Sequence, residues 1–287
     1  FYANLNWSPL NTLSISAGLR LTQFSLLGPF DESQYDDQGL FKEIKSFDKN
    51  ESVIQFFNPE PRLGLNLKLG ESSSLKMSYA RIHQYIQNIY NTSTPLPTSR
   101  WKMSDRYILP QKNDTYGLGF YKNFLDLGLE ISSEGYYRKT NNNLTFKPGA
   151  DFFLSEFLEK EVIQAKGKTY GIEFSLRKPS GKFNGFMNYT WSRSLLKTNE
   201  DSLIARINNN NWYPSDFDRP HTLNATVNFE GDTYNTFSFN FTGQTGRPYT
   251  IANGVLNQEN ATIPIFLSRN NCSSSLSILL VSMSKKI

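Results

Sequence analysis

The sequence is poor in the groups that carry chemistry. It holds one cysteine, Cys272, and two histidines, His83 and His221. A lone cysteine excludes an intramolecular disulfide and leaves the redox compartment undecided. No His, Cys or carboxylate grouping has the tight spacing of a metal site, so neither a metal nor a cofactor is expected. A Cys-His nucleophile would have to use Cys272, which lies in an atypical tail. No phosphate-binding loop occurs, because Gly117-Leu118-Gly119 falls inside a strand pattern. Serines are abundant enough to keep a Ser-His-Asp set open, but no catalytic residue is singled out and the chain is not expected to be an enzyme. Long apolar runs are also missing: nothing reaches the roughly eighteen residues of a membrane helix. The net charge is only +4 and is scattered, which argues against a nucleic-acid partner. The opening residues, Phe1 to Trp7, already read as a strand, so any export signal is expected upstream.

What is present is aromatic and alternating. The chain has 22 Phe, 15 Tyr and 4 Trp among many Asn, Ser and Thr residues. Between Lys168 and Ser194, Tyr170, Ile172, Phe174 and Leu176 share one face, opposite Gly171, Glu173, Ser175 and Arg177. Pro179-Ser180-Gly181-Lys182 makes a turn. Gly185, Met187, Tyr189 and Trp191 then resume the period of two. Such a hairpin fits a soluble sandwich or a membrane barrel. Arms of about ten residues favour the barrel, whose tilted strands need roughly 9–11.

The pattern repeats. Hairpin turns are expected at Ser8–Asn11, Gly70–Ser72, Asn123–Asp126, Pro179–Lys182 and Gly231–Thr233. Long loops alternate with them, at about 28–55, 91–112, 140–166 and 195–218. About ten strands result, with all the short turns at one end. A sandwich has no reason for that asymmetry, whereas an outer-membrane barrel has short periplasmic turns and long extracellular loops. The expected fold is therefore all-β, an antiparallel transmembrane barrel over 1–271. Asp151 is placed to cap a short helix through Glu159.

Several stretches together resemble the C-terminal half of the barrel of TonB-dependent outer-membrane receptors of the Bacteroidetes type. They are Leu96-Pro97-Thr98-Ser99-Arg100-Trp101, Glu134-Gly135-Tyr136-Tyr137-Arg138-Lys139, Gly185 to Ser192, Phe217-Asp218-Arg219-Pro220-His221 and Thr245-Gly246-Arg247-Pro248-Tyr249-Thr250. The resemblance implies a barrel of about 22 strands around a plug domain. It also implies uptake of a scarce solute driven through TonB, with the lipid bilayer and a surface lipoprotein as further partners. No plug or TonB-contacting segment lies within these residues. The tail, 272–287, departs from the pattern: it has no aromatic residue with which to end a closing strand. It is expected to be truncated or out of frame. A passive porin and an outer-membrane enzyme remain alternatives.

Candidate ligand contacts lie at the loop end. Trp101, Arg106 and Tyr107 fall in a long loop. Counting back from the turn near Gly231 sets Arg219 opposite about Arg247. The pair reads either as a cationic rim for an anionic ligand or as strand-end punctuation, with Asp218 offsetting one arginine. Trp212 joins Tyr137, Trp191, Tyr213 and Tyr249 at the same end, as ligand contacts or as a girdle at headgroup depth.

Overall fold

The structure, a computed structural model, describes residues 1–36, 40–89, 100–147, 150, 158–200, 206–231, 235–252, 254–258, 261–265, 268–273 and 278–286. Eleven strands follow one another in a single antiparallel ladder. They are β1 (Tyr2–Leu10), β2 (Leu13–Leu27), β3 (Ser52–Lys68), β4 (Ser73–Gln84), β5 (Gln111–Phe124) and β6 (Leu129–Phe146). The rest are β7 (Val162–Lys178), β8 (Phe183–Lys197), β9 (His221–Glu230), β10 (Thr236–Gln244) and β11 (Ile278–Lys286). The short strand Tyr213–Pro214 pairs with β8 as a twelfth member off the path. Every strand pairs with its chain neighbour, as an up-and-down barrel wall requires.

The short connections fall close to the expected places. β1 runs on through Ser8 to Leu10 and β5 through Asn123 to Phe124, which moves those two turns along the chain. Residues 232 and 233 of the expected Gly231–Thr233 turn lie outside the described residues. β7 and β8 turn through a glycine, Gly181, held at φ 105, a value open to glycine at little cost. The long connections are more structured than the pattern suggests. Residues 30–35 and 41–47 pair as a hairpin, as do 86–89 and 100–103. β3 begins at Ser52, ten residues before the first strand residue expected from alternation. Pro59 and Pro61 hide that extension. They pair with Leu21 and Leu19 of β2, while the pairing of β3 with β4 stops at Arg62. Proline is tolerated there because one side of the strand needs no donor. β6 runs on to Phe146 and β7 starts at Val162, so the third loop is shorter than expected. The helix is one turn, Leu158–Glu161; the Asp151 cap lies outside the described residues. In the tail, 278–286 pairs with β10.

Register sorts the side chains into two faces. One row runs Trp7, Ile15, Leu65, Met77, Leu118, Gly135, Ile172 and Trp191. The row beside it runs Leu5, Ala17, Leu63, Tyr79, Tyr116, Tyr137 and Tyr170. The intervening positions carry Ser16, Gly64, Ser78, Gly117, Tyr136, Gly171 and Ser192. Mid-strand apolar residues such as Leu63, Met77, Leu118 and Ile172 are exposed. The buried apolar clusters lie elsewhere, around Leu26-Phe47-Val53, Ile89-Ile108-Val162 and Ile163-Ile207-Tyr213. All three sit where strands meet long loops. A single sheet has no core of its own; lipid covers its apolar face instead.

Candidate ligand-binding site at the outer mouth

The polar face is concave. A cavity of about 670 Å³ lies along it between β1 and β7, over Asn6, Ser16, Lys76, Tyr121, Glu134 and Glu173. A second, of about 380 Å³, opens at the long-loop end. Asn113, Arg138, Thr140 and Thr169 form its floor, and the turn Ser215–Phe217 comes over it. These floor residues come from β5, β6 and β7, whose pairing sets Asn113 opposite Thr140 and Arg138 opposite Thr169.

Amides dominate this cavity. The Gln111 Nε2 donates to Asn143 Oδ1 at 2.9 Å, and the Thr140 hydroxyl donates to Asn113 Oδ1 at 2.7 Å. Each bond uses one end of an amide and leaves the other for the cavity. The Arg138 Nε donates to the Thr115 hydroxyl at 3.2 Å, which aims its guanidinium from the polar face. The site can therefore offer donors and acceptors at once, with Arg138 and Asp216 as its charged groups.

The loops over the mouth are tied to one another. The Tyr35 hydroxyl donates to Glu159 Oε1 at 2.7 Å, and the Lys102 ammonium lies 3.1 Å from Asp105 and 3.7 Å from Glu159. Burial and the bond to Glu159 raise the Tyr35 pKa above its ordinary value. Arg269 carries the last loop. It is buried, donates to the Thr145 hydroxyl at 2.7 Å and the Phe146 carbonyl at 2.9 Å, and lies over the Phe146 ring. Burial lowers its pKa and raises that of the adjacent Tyr213. Asn270 adds bonds to the Pro214 carbonyl and to Asp216, each 2.7 Å.

The residues selected from sequence do not converge. Trp101 is exposed on the 86–89/100–103 hairpin. Arg106 lies 3.6 Å from Glu32, and Tyr107 meets the Tyr35 ring edge-on at 5.3 Å, so both join the first two long loops. Trp212 stacks under the Lys168 ammonium at 4.2 Å, on the apolar side of β7. The pairing of β9 and β10 ends at Thr222 and Gln244, short of Arg219 and Arg247, whose partners differ. Arg219 donates to Gln244, and Arg247 lies over Phe217 at 5.4 Å. Asp218 does not offset Arg219. It accepts from Arg193 Nε at 3.0 Å and from the Ser194 backbone N–H at 2.5 Å. Tyr213 is fully buried among Ile163, Ile207 and Leu196, away from any girdle. The amides of the cavity were missed. For Gln111 and Asn113 the signal was parity, since both lie at the loop end of β5 on its polar face; Asn143 reaches that face only through the register shift between Thr140 and Asn143.

The family model for the TonB dependent receptor-like β-barrel matches residues 1–264. This chain belongs to that family. The receptor barrel is an outer-membrane structure, and its short turns and long loops are the periplasmic and extracellular ends. Among solved structures it is similar to the FrpB iron transporter from Neisseria meningitidis, with a TM-score of 0.57 and 12% identity over 92% of this chain and 35% of that one. It is also similar to the ferric-catecholate import receptor Fiu from E. coli K12, with a TM-score of 0.55 and 13% identity over 86% of this chain and 34% of that one. At these identities the likeness is one of fold. The chain spans about a third of the length of both structures. No curated protein sequence matches it.

Proposed function

We propose that the receptor barrel forms part of the wall and outer mouth of an importer that captures a small solute at the cell surface and takes it up with energy delivered through TonB. The observation that carries this is the amide-lined cavity under the extracellular loops of a family barrel. Capture is non-covalent. Asn113, Arg138, Thr140 and Asn143 hold the solute at the mouth, Trp101 meets it at the loop surface, and Arg106, Tyr107, Arg219 and Arg247 shape the rim. A plug domain is the expected link to TonB.

The test uses the full receptor containing this chain, expressed in a Gram-negative host stripped of its own receptors. Growth or uptake is measured with ferric catecholates, other ferric siderophores, cobalamin and maltodextrins, with and without TonB. The names of the two similar structures make the ferric complexes the first solutes to try. Uptake of one of them that disappears without TonB supports the proposal. Unselective, TonB-independent passage of all of them would make the barrel a passive porin instead.

A further inference from the structure

Four lysines face one another on the wrong side of the sheet for a solute. Lys139 of β6 is the register partner of Lys168 of β7, and Lys166 of β7 is the partner of Lys197 of β8. All four share the parity of Tyr137, Tyr170 and Ile172, so they stand on the lipid-facing side. They lie on the extracellular side of the aromatic row Tyr79-Tyr116-Tyr137-Tyr170, one and two steps further along the strands. Two residues of strand cover about 7 Å. The lysines therefore begin where the apolar band ends, at headgroup height in the outer leaflet.

Like charges directly opposite on one face repel, with Cβ atoms about 4.5–5.5 Å apart. Two such pairs side by side need an anion. The described residues do not supply one. The ion pairs on this stretch are Arg81–Asp114 at 2.7 Å, Lys112–Asp114 at 3.8 Å and Arg193–Asp218 at 3.0 Å. Asp114 is the register partner of Lys139, but it is taken by Arg81 and by the Tyr79 hydroxyl at 2.8 Å. None of the four lysines meets a carboxylate among the described residues. Lys168 rests instead on the Trp212 ring.

We propose that this lysine quartet is a binding site for the phosphate groups of an outer-leaflet lipid. The phosphates sit between the facing ammonium groups, and the acyl chains run down over Tyr137, Tyr170 and Ile172. Trp212 flanks the site, with its ring under the Lys168 ammonium. The site lies outside the barrel and does not depend on which solute is imported.

The test is lipid retention by the purified full-length receptor in phosphatidylcholine vesicles doped with phosphorylated lipid A or with its dephosphorylated form. The wild type should retain the phosphorylated lipid about tenfold better. K139Q/K166Q/K168Q/K197Q should lose that preference, and the corresponding four-arginine variant should keep it. Should the four-glutamine receptor fail to fold, K139Q/K197Q removes one member of each facing pair and should weaken retention on a folded barrel. Equal retention of both lipids by the wild type, or an undiminished preference in the folded glutamine variants, overturns the proposal. Full competition by millimolar inorganic phosphate would mark a free-anion site and overturn the lipid assignment.

Discussion

Arg269 lays its guanidinium 3.7 Å over the ring of Phe146, more than a hundred positions away in the chain. The last long loop is thereby fastened to the end of β6, directly beside the outer cavity. Its guanidinium donates to a hydroxyl and a carbonyl, so the charge is held by dipoles and an aromatic face, with the Asp216 carboxylate adding a favourable field.

Removing that fork should release the loop. Arg269→Ala leaves a buried hydroxyl and a buried carbonyl without their donor, at about 1–3 kcal/mol for each group. Arg269→Lys should recover only part, since an ammonium cannot reproduce the planar two-bond geometry. Amide exchange at residues 145–146 and 206–213 is the measurement: protection should fall most in the alanine variant. Unchanged protection would mean the loop is anchored elsewhere.

Asp218 should matter through β8. It is 2% exposed and binds both Arg193 and the Ser194 backbone. Asp218→Ala should cost about 2–3 kcal/mol, discounted from a fully buried pair because Arg193 is a third exposed. Asp218→Asn keeps an acceptor for one of the two donors and should cost less. Urea unfolding of the refolded receptor in detergent, followed by tryptophan fluorescence, compares the two. Equal losses would show that charge, and not the hydrogen-bonding oxygen, is what counts.

Gly185 should not tolerate a side chain. It sits at φ 148 in β8, and an added Cβ would lie 2.0 Å from the Thr226 carbonyl of β9. Gly185→Ala must move one strand or break the pair, costing about 1–3 kcal/mol in backbone strain alone. The fraction of receptor that stays folded on an unheated detergent gel should drop. Gly254, whose added Cβ meets nothing within 4 Å, is the control.

Alkaline pH should loosen the outer loops. The Tyr35 and Tyr213 hydroxyls both hold their protons above the ordinary tyrosine value of 10.0. For each, the unfolded chain gives up its proton first as pH rises. The stabilisation is thus complete below pH 10 and is lost as pH climbs through the raised folded-state values. Trp101 and Trp212 fluorescence of the purified receptor should report opening in that window. Tyr35→Phe should flatten part of the slope while also removing the bond to Glu159.

Much of the barrel was legible because a strand with two solvents has to alternate. Lipid on one side and water on the other leave a period of two that no loop reproduces, and short turns need residues such as Pro179 and Gly181. Most of the strands, the approximate turn positions, the long-loop end and the parity of wall residues away from the register shifts at Leu26/Leu27 and Thr140/Asn143 follow from that alone; the strand Ile278–Lys286 does not. The count about the Gly231 turn also follows the β9–β10 ladder as far as Thr222 and Gln244, where the pairing stops. Alternation fails where two solvents no longer meet. Beyond the bilayer the strands enter the loop assembly, so β3 could begin beneath two prolines and β6 could run into residues that look like loop. There Tyr213 is drawn into a cluster of aliphatic residues, Asp218 takes a partner from a neighbouring strand over its own neighbour in sequence, and Arg269 reaches Phe146. Those partners are chosen by packing between segments far apart in the chain, which a local pattern does not encode. The lysine quartet belongs to both levels: sequence parity sets each lysine on the lipid side, but only the register across β6, β7 and β8 sets them face to face.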